Sequence, residues 1–422
     1  MNKIKPVLYL ILFVLLLSSG CTKKVQETSD IVKIKFMYPA YTDKAYKKVV
    51  EKFHEKYPNI EVELLMSPEL GYTDKLLTMM AGGEAPDLMW LGDLIIPFFV
   101  QKNNLIALDD LVKEDKTFDI KDIYDVMLDC CRVNGKLYVM PQELGGVVLA
   151  YNKDIFDKEK IPYPNENWTW DDLIKVGQKL TKKNERGQYI QFGLDLPIDF
   201  HSLMYWTWNC GGEIFSKDLK KCLIASPECV EGIKFVVDLL NKYKICPNPS
   251  EKTDINLFTV GKIAMTFINH GHVPQFKGKV KFNWDITVLP RGRTKRRFVN
   301  TGTSGVAMWN RTTHSKETWE FIKFLVSPDA QRIMTESELI VPVRKSMRTD
   351  PVFIGQKYPE HNIIFIDGVV PYGKPQYLVN NFSEIGSLID RSMQKIILGE
   401  VDIKKELGEL NKRVDMILNN QN

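Results

Sequence analysis

IVKIKFMYPAYTDKAYKKVVEKFHEKYPNIEVELLMSPELGYTDKLLTMMAGGEAPDLMWLGD, residues 31–93, changes its apolar period at every ten residues or so. Ile31 to Tyr38 alternates around the charged Lys33 and Lys35, which predicts a strand. Ala45 to Tyr57 carries Tyr46, Val49, Val50 and Phe53 at helical spacing, and Pro58 stops it. Ile60 to Met66 alternates again as a second strand. Asp74 to Ala81 reads as a helix ending at Gly82-Gly83, and Pro86-Asp87 introduces the buried run Leu88 to Leu91. Strand, helix, strand, helix, strand predicts a parallel α/β sheet with covering helices.

Upstream, Lys3 and Lys5 precede an unbroken apolar run from Val7 to Leu17. The run falls short of the ~20 residues a membrane span requires and reads as the core of a signal peptide, residues 1–20. Ser18, Ser19, Gly20 and Cys21 follow. Small residues before a cysteine at that place resemble a bacterial lipobox, with Cys21 the lipidated first residue of the mature chain. Ser18 stands where an aliphatic residue is usual. Residues 21–30 are polar and suit a flexible tether to the extracytoplasmic face of the cell membrane.

About 400 residues then remain, too many for one compact core, so two domains or two lobes are expected. The 44% apolar and 26% charged fractions are ordinary for a globular protein, and the net charge is +4. The densest basic run, Arg291 to Arg297, contains Gly292 and Thr294 and no aromatic, so it reads as a solvated loop and no nucleic-acid partner is expected. Six cysteines follow Cys21. Outside the cell they permit disulfides, with Cys222 to Cys229 or Cys246 one possible bridge. Cys130 and Cys131 read either as a redox pair or as half-buried free thiols at a helix end. No C-x-x-C pair or His at ligand spacing calls for a metal, and no cofactor is expected.

Downstream, Gly135 to Met140 and Gly146 to Tyr151 are strand-like, and Thr169 is a natural cap for a helix beginning WTWDDL, residues 168–173. Asp171 and Asp172 complement the positive end of that helix. Phe298 to Trp309 is strand-like and leads into a helix from Lys316 to Leu325. Ser383 to Leu418 reads as two helices joined around Gly399.

Several of these segments together resemble the family-1 extracellular solute-binding proteins, the sugar receptors of bacterial ABC importers, over nearly all of the mature chain. They are GEAPDLMWLGD (83–93), GKLYVMPQELGGVVLAYNKDIF (135–156), WTWDDL (168–173), GGEIF (211–215), FTVGKIAM (258–265), residues 301–309 and TWEFIKFLVSPDAQ (318–331). The resemblance implies a type II periplasmic-binding-protein-like α/β fold of two lobes joined by a multi-strand hinge. Its expected division is 31–142 with 300–345 for the first lobe, and 143–299 with 346–422 for the second. It implies a monomer that captures a carbohydrate by closing its lobes and delivers it to the permease subunits of the importer, with no catalysis. A ligand touching both lobes only when they close stabilises the closed state by its differential affinity.

A sugar presents apolar faces edged with hydroxyls, so its site needs aromatic platforms and groups that donate and accept hydrogen bonds. Such groups belong on loops after strands, at the cleft. Tyr41 follows the first strand and is either a platform or a surface tyrosine. Asp93 stands where the family pattern places a polar contact, or caps a helix. Gln142 and Glu143 lie at the first crossing between lobes, as ligand contacts or hinge bonds. Of Trp206 and Trp208, two apart on a helix, one is expected in the core and the other on the ligand. Asn269 and His270 follow a strand at a place where relatives often carry a tryptophan. Thr303 and Ser304 follow Gly302, whose missing side chain permits close approach. Tyr372 faces the cleft if the family topology holds there. An extracellular glycosidase is the rival from another class, needing two carboxylates across a cleft. A non-sugar solute on the same fold is the other.

Overall fold

The computed structural model describes residues 31–248 and 256–419. The expected signal peptide and tether, with Cys21, lie outside the described residues. In chain order the elements used below are β1 (Val32–Pro39), α1 (Asp43–Lys56), β2 (Ile60–Ser67), α2 (Tyr72–Ala81), β3 (Leu88–Gly92), β4 (Val139–Pro141), β5 (Gly145–Gly146) and β6 (Val148–Asn152). Next come α3 (Trp170–Leu180), β7 (Lys182–Lys183), β8 (Tyr189–Asp195), α4 (Phe200–Trp208), α5 (Pro227–Asn241), β9 (Ile263–Ile268) and β10 (Trp284–Thr287). The last are β11 (Val299–Gly302), β12 (Ser304–Met308), α6 (Ser315–Leu325), α7 (Pro328–Glu336), β13 (Gly373–Pro375), α8 (Phe382–Ile397) and α9 (Ile403–Asn419).

Two five-stranded sheets carry the fold. The first has the order β2-β1-β3-β12-β4, the second β10-β6-β9-β8-β7. Parallel pairing joins β1 to β2 and β3, and β8 to β9, as the alternation of strand and helix requires. On β1, Lys33 and Lys35 stand exposed while Ile34, Phe36 and Tyr38 are buried. Helix α1 buries Tyr46, Val49, Val50 and Phe53 on one face, and Phe53 meets Phe321 and Phe324 of α6 at ring-centroid distances of 4.8 and 5.3 Å. Thr169 caps α3 as its hydroxyl predicted: its side chain accepts the Asp172 amide while the Asp172 carboxylate takes the Thr169 amide at 2.9 Å. The C-terminal helices pack on helices of the second half, α8 on α4 and α5 and α9 on α5, with Phe382 against Phe200 at 5.0 Å.

A third, three-stranded sheet, β13-β11-β5, joins the two halves. Strand β5 lies between β4 of the first sheet and β6 of the second. Strand β11 leads into β12 with only Thr303 between them. The two crossings therefore run side by side, Thr301 opposite Gly146 and Gly302 opposite Gly145. A Cβ on Gly145 would stand 2.5 Å from the Gly302 carbonyl, so this crossing admits no side chain.

The cysteine expectation is corrected. Cys130, Cys131, Cys210, Cys222, Cys229 and Cys246 are all buried thiols outside any disulfide. No bridge links Cys222 to Cys229 or Cys246; the Cys229 thiol is instead turned to the Glu213 carbonyl at 3.3 Å. Cys130 and Cys131 do sit at a helix end, but they are fully buried, and burial raises both thiols well above the usual range. Inert core thiols of this kind pack as small hydrophobes. Among the described residues no helix is long and apolar enough to cross a membrane.

Candidate functional site

Sheet register builds the site. Antiparallel pairing sets Ser304 opposite Gly92, and Gly305 opposite Pro141. The end of β3, the start of β12 and the end of β4 therefore deliver Asp93, Thr303, Ser304 and Glu143 to one place, at the edge facing the second sheet. A cleft of about 900 Å³ opens there.

Its first wall is tightly bonded. Asp93 is buried, and its two carboxylate oxygens accept the amides of Leu94 at 3.0 Å and Thr303 at 3.3 Å. The Asp93 amide donates to the Thr303 carbonyl at 3.0 Å. Burial pushes the Asp93 carboxyl up to about 7, and the charge of Glu143 adds to the effect. The Ser304 hydroxyl donates to Glu143 Oε1 at 2.6 Å, and the Thr303 hydroxyl donates to the Glu143 carbonyl at 2.6 Å. Burial also raises the Glu143 carboxyl. Gly302 lets this cluster close: a Cβ there would meet Asp93 Oδ2 at 2.6 Å and Gln376 Nε2 at 2.8 Å. The close approach that glycine permits is thus to the protein's own carboxylate and amide. Tyr41, 55% exposed on the short turn after β1, and the half-buried Trp90 offer aromatic faces on the same side. Leu70, 96% exposed after β2, stands beside the cleft residue Glu69 in sequence.

The facing wall is looser. Asn269, His270 and His272 follow β9, and the Asn269 Oδ1 lies 2.9 Å from His272 Nδ1. His270 is buried against Phe365, 5.2 Å between ring centroids, and neither of its ring nitrogens has a hydrogen-bond partner. Burial lowers it to about 4, so at neutral pH it offers one donor and one acceptor. Asn300 on β11 donates to the His201 carbonyl at 3.2 Å, and its buried Oδ1 is unpartnered. His201 Nδ1 pairs with Gln376 Oε1 at 2.6 Å at the head of α4, where Asp199 accepts the Ser202 amide at 2.7 Å.

Eight of the eleven positions singled out in the sequence line this cleft: Tyr41, Asp93, Glu143, Trp206, Asn269, His270, Thr303 and Ser304. Trp206 does so at its boundary, 1% exposed and packed among Trp170, Tyr205, Phe235 and Phe267. The structure does not bring the other three there. Gln142 is buried under the crossing, where it accepts the Tyr46 hydroxyl at 2.9 Å and its carbonyl takes the Gln331 amide at 2.8 Å. The Trp208 indole donates to the Tyr377 hydroxyl at 2.6 Å, with the Lys374 ammonium 4.5 Å from its ring. The Arg297 guanidinium lies 4.7 Å from the Tyr372 ring, and the Tyr372 carbonyl accepts the Val299 amide at 2.9 Å. Trp90, His201, Asn300 and Gln376 were missed. Only Trp90 had a local signal, the one aromatic within the apolar strand run Leu88 to Leu91.

Carboxylates outnumber cations around this space. Glu69, Asp93, Glu143, Asp199 and Glu338 line it, and among the described lining residues none is lysine or arginine.

Comparison with known proteins agrees with this architecture. A galactooligosaccharide-binding protein of Bacillus subtilis is 24% identical over 374 residues, 84% of this chain and 82% of the relative. Among solved structures, the sugar-binding protein MalE of Xanthomonas citri superposes with a TM-score of 0.83 at 20% identity, covering 92% of this chain and 98% of that one. An ABC substrate-binding protein of Listeria monocytogenes in complex with cycloalternan superposes with a TM-score of 0.80 at 23% identity, covering 92% and 100%. The two-lobed α/β fold is shared with both. Residues 39–332 match the sequence profile of the bacterial extracellular solute-binding proteins, and this chain belongs to that family.

Proposed function

We propose that the chain is a carbohydrate receptor of an ABC importer, a monomer tethered through Cys21 to the extracytoplasmic face of the membrane, which closes its lobes on an oligosaccharide and presents it to the permease. The observation that carries this reading is the cleft itself. Exposed and half-buried aromatic faces, Tyr41 and Trp90, stand with Asp93, Glu143, Asn269, His270 and Asn300 around a space sized for more than one sugar ring. Tyr41, Asp93, Glu143, Asn269 and His270 are its proposed ligand contacts, with Trp206, Thr303 and Ser304 behind them. The placement of the two five-stranded sheets supports lobes of 31–142 with 300–345 and 143–299 with 346–422, and the three-stranded sheet suits a hinge. The oligosaccharide named for the Bacillus relative supports the ligand class.

The raised carboxyls of Asp93 and Glu143 favour a second reading, a glycosidase with a general acid. One experiment separates the two. The chain from residue 22 is screened by thermal shift against oligosaccharides, with X-ray scattering and product analysis on each hit. A receptor shows a concentration-dependent rise in melting temperature, a smaller radius of gyration and intact glycan. Accumulating product sinks the receptor reading, and no response to any glycan sinks the carbohydrate.

A further inference from the structure

We propose that the cleft selects a glycan carrying a protonated amine, because it surrounds a sugar-sized space with carboxylates and a buried unpartnered acceptor and, among the described residues, with no lysine or arginine. The inference rests on the carbohydrate reading above and narrows it.

The inventory is specific. Glu69, Asp93, Glu143 and Asp199 line the cleft and form no ion pair with lysine or arginine among the described residues, while Glu338 alone takes an ammonium, that of Lys277 at 2.6 Å. Three hydroxyls that could serve a neutral sugar are already engaged. Those of Thr303 and Ser304 donate to the carbonyl and carboxylate of Glu143, and that of Tyr205 to the Pro290 carbonyl at 3.1 Å. The Gln275 amide donates to the Gly271 carbonyl at 3.1 Å. Among unmet groups, the buried Oδ1 of Asn300 is an acceptor with no donor at all, and the neutral His270 leaves one acceptor and one donor open.

A sugar hydroxyl brings an acceptor with every donor, so a neutral glycan brings no surplus of donors and no charge to these carboxylates. An ammonium brings three donors and no acceptor. It also restores charge balance where carboxylates are withdrawn from water, an interaction stronger than at an exposed surface.

The test is a thermal-shift and calorimetric screen with disaccharides and trisaccharides of several linkages, each supplied in neutral, N-acetylated, free-amine and uronate forms. The free-amine form should bind about tenfold more tightly than its N-acetylated twin at low salt, and the gap should narrow on adding salt because charge attraction is screened. Glu69→Gln, at an exposed position outside the bonded wall, should narrow the gap with little effect on the neutral forms. Equal or tighter binding of neutral or uronate forms overturns the amine preference and leaves the receptor standing. Absence of any glycan response overturns both.

Discussion

The wall built from Asp93, Glu143, Thr303 and Ser304 and the wall built from Asn269, His270 and Asn300 treat their polar atoms in opposite ways. On the first, carboxylate, hydroxyl and backbone amide satisfy one another across three strands, so the geometry is fixed before anything binds. On the second, buried nitrogens and an amide oxygen wait without partners. An unmet buried polar group costs roughly 1–3 kcal/mol, which a ligand can recover. The difference teaches that preorganisation and unmet need can be divided between two faces of one site. The first sets where a ligand sits, the second rewards its arrival.

The strongest way to break that division is Gly302→Val. Its side chain would displace the Asp93 carboxylate and the Gln376 amide together. Overpacking of this kind costs about 1–3 kcal/mol, so calorimetry should show a melting temperature lower by several degrees and no measurable glycan binding. Retained binding would mean that the first wall does not need its fixed geometry.

Second in size is the pH response of Asp93. Its native pKa of about 7 lies above the unfolded value of 3.8. Between those values the unfolded chain releases a proton that the native state keeps, so this group lowers stability as pH rises across the window, and its full cost is present above about pH 7. His270 acts in the opposite sense. Its native value of about 4 lies below 6.5, so stability falls as pH drops between them. Asp93→Asn should therefore flatten the fall in melting temperature between pH 5 and 8. An unchanged slope would place the carboxyl in water.

His270→Phe sharpens the other side. Removing two unpartnered buried nitrogens while keeping a ring against Phe365 should stabilise the empty protein by about 1 kcal/mol. The same change should weaken glycan binding severalfold in titration calorimetry. Tyr41→Ala is the smallest. An exposed side chain leaves stability within about 0.5 kcal/mol, while a lost stacking face of about 0.5–1.5 kcal/mol loosens binding two- to tenfold.

Much of the architecture was legible because it is local. The alternation of residues 31–38 and the capping threonine at 169 need only neighbouring residues to act, and the structure has both. Asp93 and Glu143 were found because strand ends collect at the cleft edge of such sheets. The misses are long-range. Gln142 looks identical in sequence to a cleft residue, and the Tyr46 hydroxyl, 96 residues away, and the Gln331 amide, 189 away, hold it beneath the crossing. His201 meets Gln376 across 175 residues, a pairing no periodicity encodes. The cysteines misled for a related reason: oxidising surroundings permit bridges, but packing decides whether two thiols meet.

One feature of the chain path bears on how the molecule would read its cargo. Thr303 alone separates a strand of the bridging sheet from a strand of the first sheet, so the bonded cluster around it sits at a fulcrum. Strand β2 lies three places away in that sheet, about 14 Å at ordinary strand spacing, and the turn after it carries Glu69 and Leu70. Any swing about Thr303 barely moves Asp93 but carries that turn through a wide arc. A short ligand lodged at the fulcrum would leave the arc nearly free, whereas one long enough to touch the turn would meet it as a calliper meets the object between its jaws.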